Sequence, residues 1–326
     1  MDEKLWIDPE YTEAVRVEQK SYRKDISRIS WCLLIMQVVG NGLAICIVLA
    51  LETVGMIFGG FGIEMETMSE SVYTFVAGFV PTLLAEVMLI VLLRCWCGFR
   101  IQKEETLQLN NTWKMIGLSL LSGWGVTSFA IIGLSLFETL LNMIGLGMGS
   151  PNMSVPLPQV DMIGFILNVS YICVVGPVME ELIFRGFVLG GLKKYGEGTA
   201  IVVSAIMFTL FHGNLTQLIT PLLMGLIFGM LTVRTGKLWP AIICHIGHNL
   251  LASFMGVREW AFLVYMGLGI LGIILWWREY GVEILLLRKG GLLLKEDKVR
   301  GFLLAPGFWV FMAVYLLMCS MYFMMI

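Results

Sequence analysis

Long apolar runs separated by short polar connections set the pattern of this chain. A helix needs about 20 predominantly apolar residues to cross a bilayer core. Runs of that kind fall near 30–51, 72–93, 115–137, 162–190, 199–213, 217–233, 238–256, 260–277 and 302–325. They predict an all-α fold, a polytopic membrane helix bundle of about eight or nine transmembrane helices. The run at 199–213 is short, whereas 162–190 is long enough to tilt or to leave the bilayer at its end. No connection is long enough for a soluble domain, so the expectation is one integral membrane unit.

Composition agrees. Mean hydropathy is +0.83 and 14% of residues are charged, against about a quarter in soluble domains. A net charge of -2 gives no sign of nucleic-acid binding. The seven cysteines lie mostly in apolar runs without a CxxC pair, which reads as small apolar filling.

Charge placement predicts orientation. The amino-terminal arm holds Lys4, Arg16, Lys20, Arg23, Lys24 and Arg28, while 52–71 holds no basic residue and carries Glu52, Glu64, Glu66 and Glu70. Basic residues return at Arg94, Arg100, Lys103 and Lys114, vanish over 138–161, and return at Lys193, Lys194, Arg234, Lys237 and between Arg278 and Arg300. Arg258 alone breaks the alternation. Since cytoplasmic loops collect lysine and arginine, the pattern predicts a multi-pass cell-membrane protein with a cytoplasmic amino terminus. The stretch 11–28 has helical spacing and mixed charge, and 150–159 reads as a Pro-rich external loop.

The spans contain few polar groups: Asn41, Glu86, Asn168, Glu180, Glu181, Arg185, His212, His245, His248 and Asn249. All three histidines of the chain are among them. Ionisable groups at membrane depth are costly and face a bundle interior or a wet cavity. In VMEELIFR (178–185), Glu181 and Arg185 are four apart and can pair on one helix face. Glu180 points about 100° away and is free to face something else. His245 and Asn249 share a face, as do Phe208 and His212. Glu86, alone in its span, reads as a carboxylic acid that is neutral or satisfied by a neighbour, and Asn41 and Asn168 read the same way. From these residues alone, a buried polar network that merely joins helices stays open beside a reaction site.

The order EE-xxx-R (Glu180, Glu181, Arg185), F-xxx-H (Phe208, His212) and H-xxx-N (His245, Asn249) resembles the CAAX protease and bacteriocin-processing family of intramembrane endopeptidases. The resemblance covers about 162–256. It implies that Glu180 is a general base activating a water, that His212 completes the water site, and that His245 and Asn249 hold the oxyanion. It also implies Glu181 and Arg185 as a supporting pair, with Phe208 packed beneath His212. On this reading the chain divides into a cytoplasmic arm (1–29), amino-terminal spans (30–160), a catalytic core (161–256) and carboxyl-terminal spans (257–326).

The implied activity is hydrolysis of a peptide bond near the membrane, on a peptide or membrane-anchored protein, with the lipid bilayer as the other partner. No cofactor is expected. In the alternative zinc-dependent form, Glu180, His212 and His245 would hold the ion, although HExxH is absent and asparagine is a poor zinc ligand. A second alternative is a non-catalytic immunity or peptide-binding membrane protein. A proton-coupled transporter would predict matching broken helices in two halves, and no internal repeat is visible.

Overall fold

The protein is described by a computed structural model over residues 9–60, 69–101, 111–143, 161–214, 217–254, 259–286 and 293–324. These residues form helices without strands. In chain order the helices are α1 (Pro9–Gly60), α2 (Glu70–Cys95), α3 (Thr112–Met143), α4 (Met162–Tyr195) and α5 (Glu197–Phe211). They continue with α6 (Ile219–Thr235), α7 (Trp239–Phe254), α8 (Glu259–Leu286), α9 (Lys295–Leu303) and α10 (Pro306–Met324). The Pro-rich stretch 150–159, Glu64, Glu66, Lys103 and Arg258 lie outside the described residues.

Every predicted run contains a helix, but the count of spans changes. Among the described residues five helices are long and apolar enough to cross a bilayer, or six if α9 and α10, bent by 59°, form one span. The difference lies in the central segment, where α5, α6 and α7 have 15, 17 and 16 residues. At ~1.5 Å per residue each is shorter than a ~30 Å hydrocarbon core. Conversely, α1 runs unbroken for 52 residues, ~78 Å, so the polar stretch 11–28 and the first apolar run are one helix.

Helices approach closely where side chains are smallest, the usual basis of packing in lipid. A Cβ added to Gly269 of α8 would lie 2.2 Å from the Gly125 nitrogen of α3, so these helices cross backbone to backbone. Gly225 of α6 meets Ala205 of α5 in the same way. Polar ties fix the ends: Lys194 at the close of α4 pairs with Asp25 of α1 at 2.8 Å, and the Tyr195 hydroxyl donates to that carboxylate at 2.8 Å. Lys114 of α3 pairs with Glu279 of α8 at 2.6 Å.

Helices α2 and α4 both contain wide turns with π-type spacing, at Phe75–Phe79 and at Tyr171–Val175 and Leu182–Leu189. The first two stand just before Pro81 and Pro177. A proline has no N–H to close the helical ladder, and π turns recur at functional sites because they re-aim side chains and free carbonyls. These turns lead directly to the motif residues.

Candidate active site

Glu180 and Glu181 close the short α-helical stretch Gly176–Glu181 inside α4, and Arg185 sits in the wide turn that follows. Arg185 Nη1 donates to Glu181 Oε1 at 3.0 Å, with both side chains fully buried. His245 of α7 brings Nδ1 to the same oxygen at 2.9 Å. A carboxylate oxygen accepts, so Nδ1 carries the hydrogen and the ring is fixed with Nε2 pointing away. That Nε2 lies 3.6 Å from Glu180 Oε2. His245 therefore bridges the two adjacent glutamates.

The two acids differ in access. Glu180 keeps 17% side-chain exposure, while Glu181 has none. Glu181 is committed to Arg185 and His245, whereas Glu180 has a surface that a water or substrate can reach. Arg185 spends its remaining charge on aromatic faces: its guanidinium carbon lies 4.5 Å from the Phe208 ring centroid and 5.4 Å from Phe228. A desolvated cation over an aromatic ring contributes ~2 kcal/mol.

Phe208 is the hub of the cluster. Its ring meets His212 edge to face at 4.9 Å and His245 at 6.0 Å. His212, just past the end of α5, lies in Coulombic range of His245 and Arg185. Its Nδ1 donates to the Phe208 carbonyl at 2.8 Å, which leaves Nε2 as the free ring atom.

Asn249 joins the cluster through α4. Its Nδ2 donates to the Ile172 carbonyl at 2.9 Å. Ile172 stands five residues before Pro177, where π spacing would call for the N–H that proline lacks. The wide turn thus exposes a carbonyl that the H-xxx-N motif satisfies. One amide hydrogen of Asn249 remains for another acceptor. Ser204 of α5 treats the second wide turn alike, donating to the Phe184 carbonyl at 2.8 Å.

Two groups of the site escaped the sequence reading of their surroundings. Glu86 of α2 is 1% exposed, accepts from the Tyr171 hydroxyl at 3.5 Å, and lies in Coulombic range of Glu180. Tyr171 is itself stacked on Phe79 at 4.5 Å. Glu86 has the neighbour expected for it, but that neighbour sits beside Glu180, and nothing in the spacing of one span could reveal this. His248 turns to α3, with Nε2 3.4 Å from the Thr127 hydroxyl. Asn41 donates to the Gln37 carbonyl one turn back in its own helix, and Asn168 donates to the Ser71 carbonyl.

A zinc site would need Glu180, His212 and His245 to converge on one point. Glu180 and His245 meet, but among the described residues no three His, Cys, Asp or Glu side chains are gathered closely enough to hold a metal ion. As disposed here the residues do not fit the ion. A 570 Å³ apolar cleft lined by Ile201, Met230, Trp276 and Phe302 opens elsewhere and contains none of the motif residues.

Comparison with known proteins matches the same stretch of chain. The Type II CAAX prenyl endopeptidase Rce1-like family matches residues 162–251. The Bacillus subtilis (strain 168) protein named "Putative membrane peptidase YdiL" is 31% identical over 163 residues, 48% of this chain and 64% of that protein. The chain thus spans less than two thirds of the relative it matches. No solved structure matches. The matched segment, which contains every residue of the three motifs, is thus similar to the CAAX prenyl endopeptidases.

Proposed function

We propose that the protein is an intramembrane endopeptidase that hydrolyses a peptide bond with a water activated by Glu180. The observation that carries this reading is the asymmetry of the adjacent acids: Glu181 is buried against Arg185 and His245, and Glu180 stays accessible beside His245. A network serving only to join helices gives no reason to leave one of the two acids accessible beside a histidine.

In the proposed reaction, Glu180 takes a proton from water as the oxygen attacks the scissile carbonyl. The resulting oxyanion is held by His245 Nε2–H and the second amide hydrogen of Asn249. With His245 carrying both ring protons, Glu180, Glu181, Arg185 and His245 form a set without net charge, which suits a water-poor site. His212 Nε2 accepts from the attacking water and orients it. Glu180 then passes its proton to the leaving amine as the C–N bond breaks, and product acid and amine depart. General acid–base catalysis contributes typically 10²–10⁴-fold, and each oxyanion donor a further 10²–10³-fold.

The substrate class is a peptide or a membrane-anchored protein whose scissile bond lies near the membrane surface. Mapping new peptide termini by mass spectrometry in host membranes, with wild type or Glu180→Gln at equal protein level, tests the reading. Termini present with wild type and missing with the variant are expected. Coincident maps would leave the cluster as a binding site. Activity retained after exhaustive chelation is the companion expectation, and loss restored by added zinc would favour the metal-dependent form.

A further inference from the structure

The loop that carries His212 is held by helices outside the family segment. A helix leaves its last carbonyls without intrahelical donors, and α5 ends at Phe211. The carbonyls from 208 to 214 nevertheless all find partners. Phe208 accepts from His212 Nδ1, and Thr209 and Leu210 accept from the backbone N–H of His212 and Gly213. The His212 carbonyl accepts from Asn214 Nδ2 at 3.1 Å.

The other three partners come from far along the chain. Gln37 of α1 donates to the Phe211 carbonyl. Cys319 of α10 donates to Gly213 at 3.8 Å, and the Tyr315 hydroxyl donates to Asn214 at 3.0 Å. Gly213 adopts φ +68°, a conformation that glycine takes without penalty, and Met318 packs against it. Tyr315 is 2% exposed, so its bond is made away from water.

We infer that Gln37 and Tyr315 are positioning residues for the reaction, setting the His212 loop through its carbonyls and making α1 and α10 part of the site. This rests on the peptidase reading for its functional meaning, although the geometry stands without it. Seven consecutive partnered carbonyls restrain the loop, and the ring of His212 is itself one of the donors. Loss of the Tyr315 bond takes the donor from the carbonyl of Asn214, the residue whose side chain anchors the His212 carbonyl.

The test uses the full chain in lipid nanodiscs, with histidine labelled at its ring nitrogens. Three histidines give three ring environments to follow. Tyr315→Phe removes one oxygen and keeps the ring packing, and Gln37→Leu is the independent second variant. The expected result is a shifted or doubled His212 signal in each, with His245 and His248 unmoved and the unfolding temperature nearly unchanged. Cleavage at the Glu180-dependent termini should fall about 10- to 100-fold, the scale of a displaced catalytic group. An unmoved His212 signal would overturn the inference, as would equal movement of all three histidines, which marks a general structural effect. If wild type yields no Glu180-dependent termini, the peptidase reading fails while the ring signals still decide the positioning claim.

Discussion

At the scale of single residues, Glu181 Oε1 receives Arg185 at 3.0 Å and His245 at 2.9 Å. Removing one partner from a buried charged set leaves an uncompensated charge, which costs about 3–5 kcal/mol. Arg185→Met should therefore lower unfolding free energy by that amount in denaturant titration. Arg185→Lys should recover only part, since a point ammonium cannot both pair and stack. Glu180→Gln behaves in the opposite way. Its carboxyl keeps 17% side-chain exposure and glutamine keeps its shape, so Glu180→Gln should cost less stability than Arg185→Met in the same titration while cleavage falls at least ~10²-fold. The two glutamates are adjacent in sequence, and their separate fates follow from which helix face each takes. That much was legible: paired spacing marked Glu181 with Arg185 and left Glu180 apart. The bridge from His245 was not, because a bond between residues 64 apart depends on how two helices pack.

At the scale of elements, the helix crossing of α3 and α8 has a sharp consequence. Gly125→Val would drive a side chain into the Gly269 backbone, 2.5 Å from the new Cβ, whereas Gly133 has open space. Gly125→Val should lower folded yield and unfolding temperature, with Gly133→Val close to wild type in the same assay. A second element-level device joins the starts of α2 and α4. Asp161 accepts from the Ser69 hydroxyl and from the Gly164 N–H, capping α4, while Ser69 caps α2 on Val72. The Ser69 hydroxyl first, and the Gly164 N–H second, hold the Asp161 carboxyl below its ordinary 3.8. A depressed folded value means this link is fully present above the unfolded value and is lost as pH falls through the folded one. Asp161→Ala should raise amide exchange in the first turns of both helices at neutral pH, and unchanged exchange would remove the link from the account. The existence of these helices was readable from apolar runs, but the wide turns were not. The turn before Pro177 became interpretable once that proline was seen to strip a donor from the Ile172 carbonyl, which Asn249 of α7 then supplies.

At the scale of the whole molecule, the sequence reading and the structure part over which helices cross. Hydropathy counts apolar residues without regard to what covers them. Ala200, Ala205, Met207 and Phe208 of α5 are covered by protein, so a 15-residue helix can be as apolar as a span while being too short for one. Short helices surrounded by long ones place His212 and His245 inside the bundle, close to the ends of α5 and within α7. The carboxyl-terminal helices, which the motifs do not reach, supply Tyr315 and Cys319 to the His212 loop. Glu86 enters from α2 in the same way. The candidate site is thus a property of the full bundle, and the motif segment expressed alone should lack activity even if it inserts.

The most direct measurement of the central claim follows the oxygen of water. Purified wild type and Glu180→Gln would each be incubated with solubilised host membrane proteins in ¹⁸O-water, and new carboxyl termini sequenced by mass spectrometry. The account predicts ¹⁸O in new termini with wild type and none with the variant. Labelled termini that persist with Glu180→Gln, or no labelled termini with either protein, would contradict it.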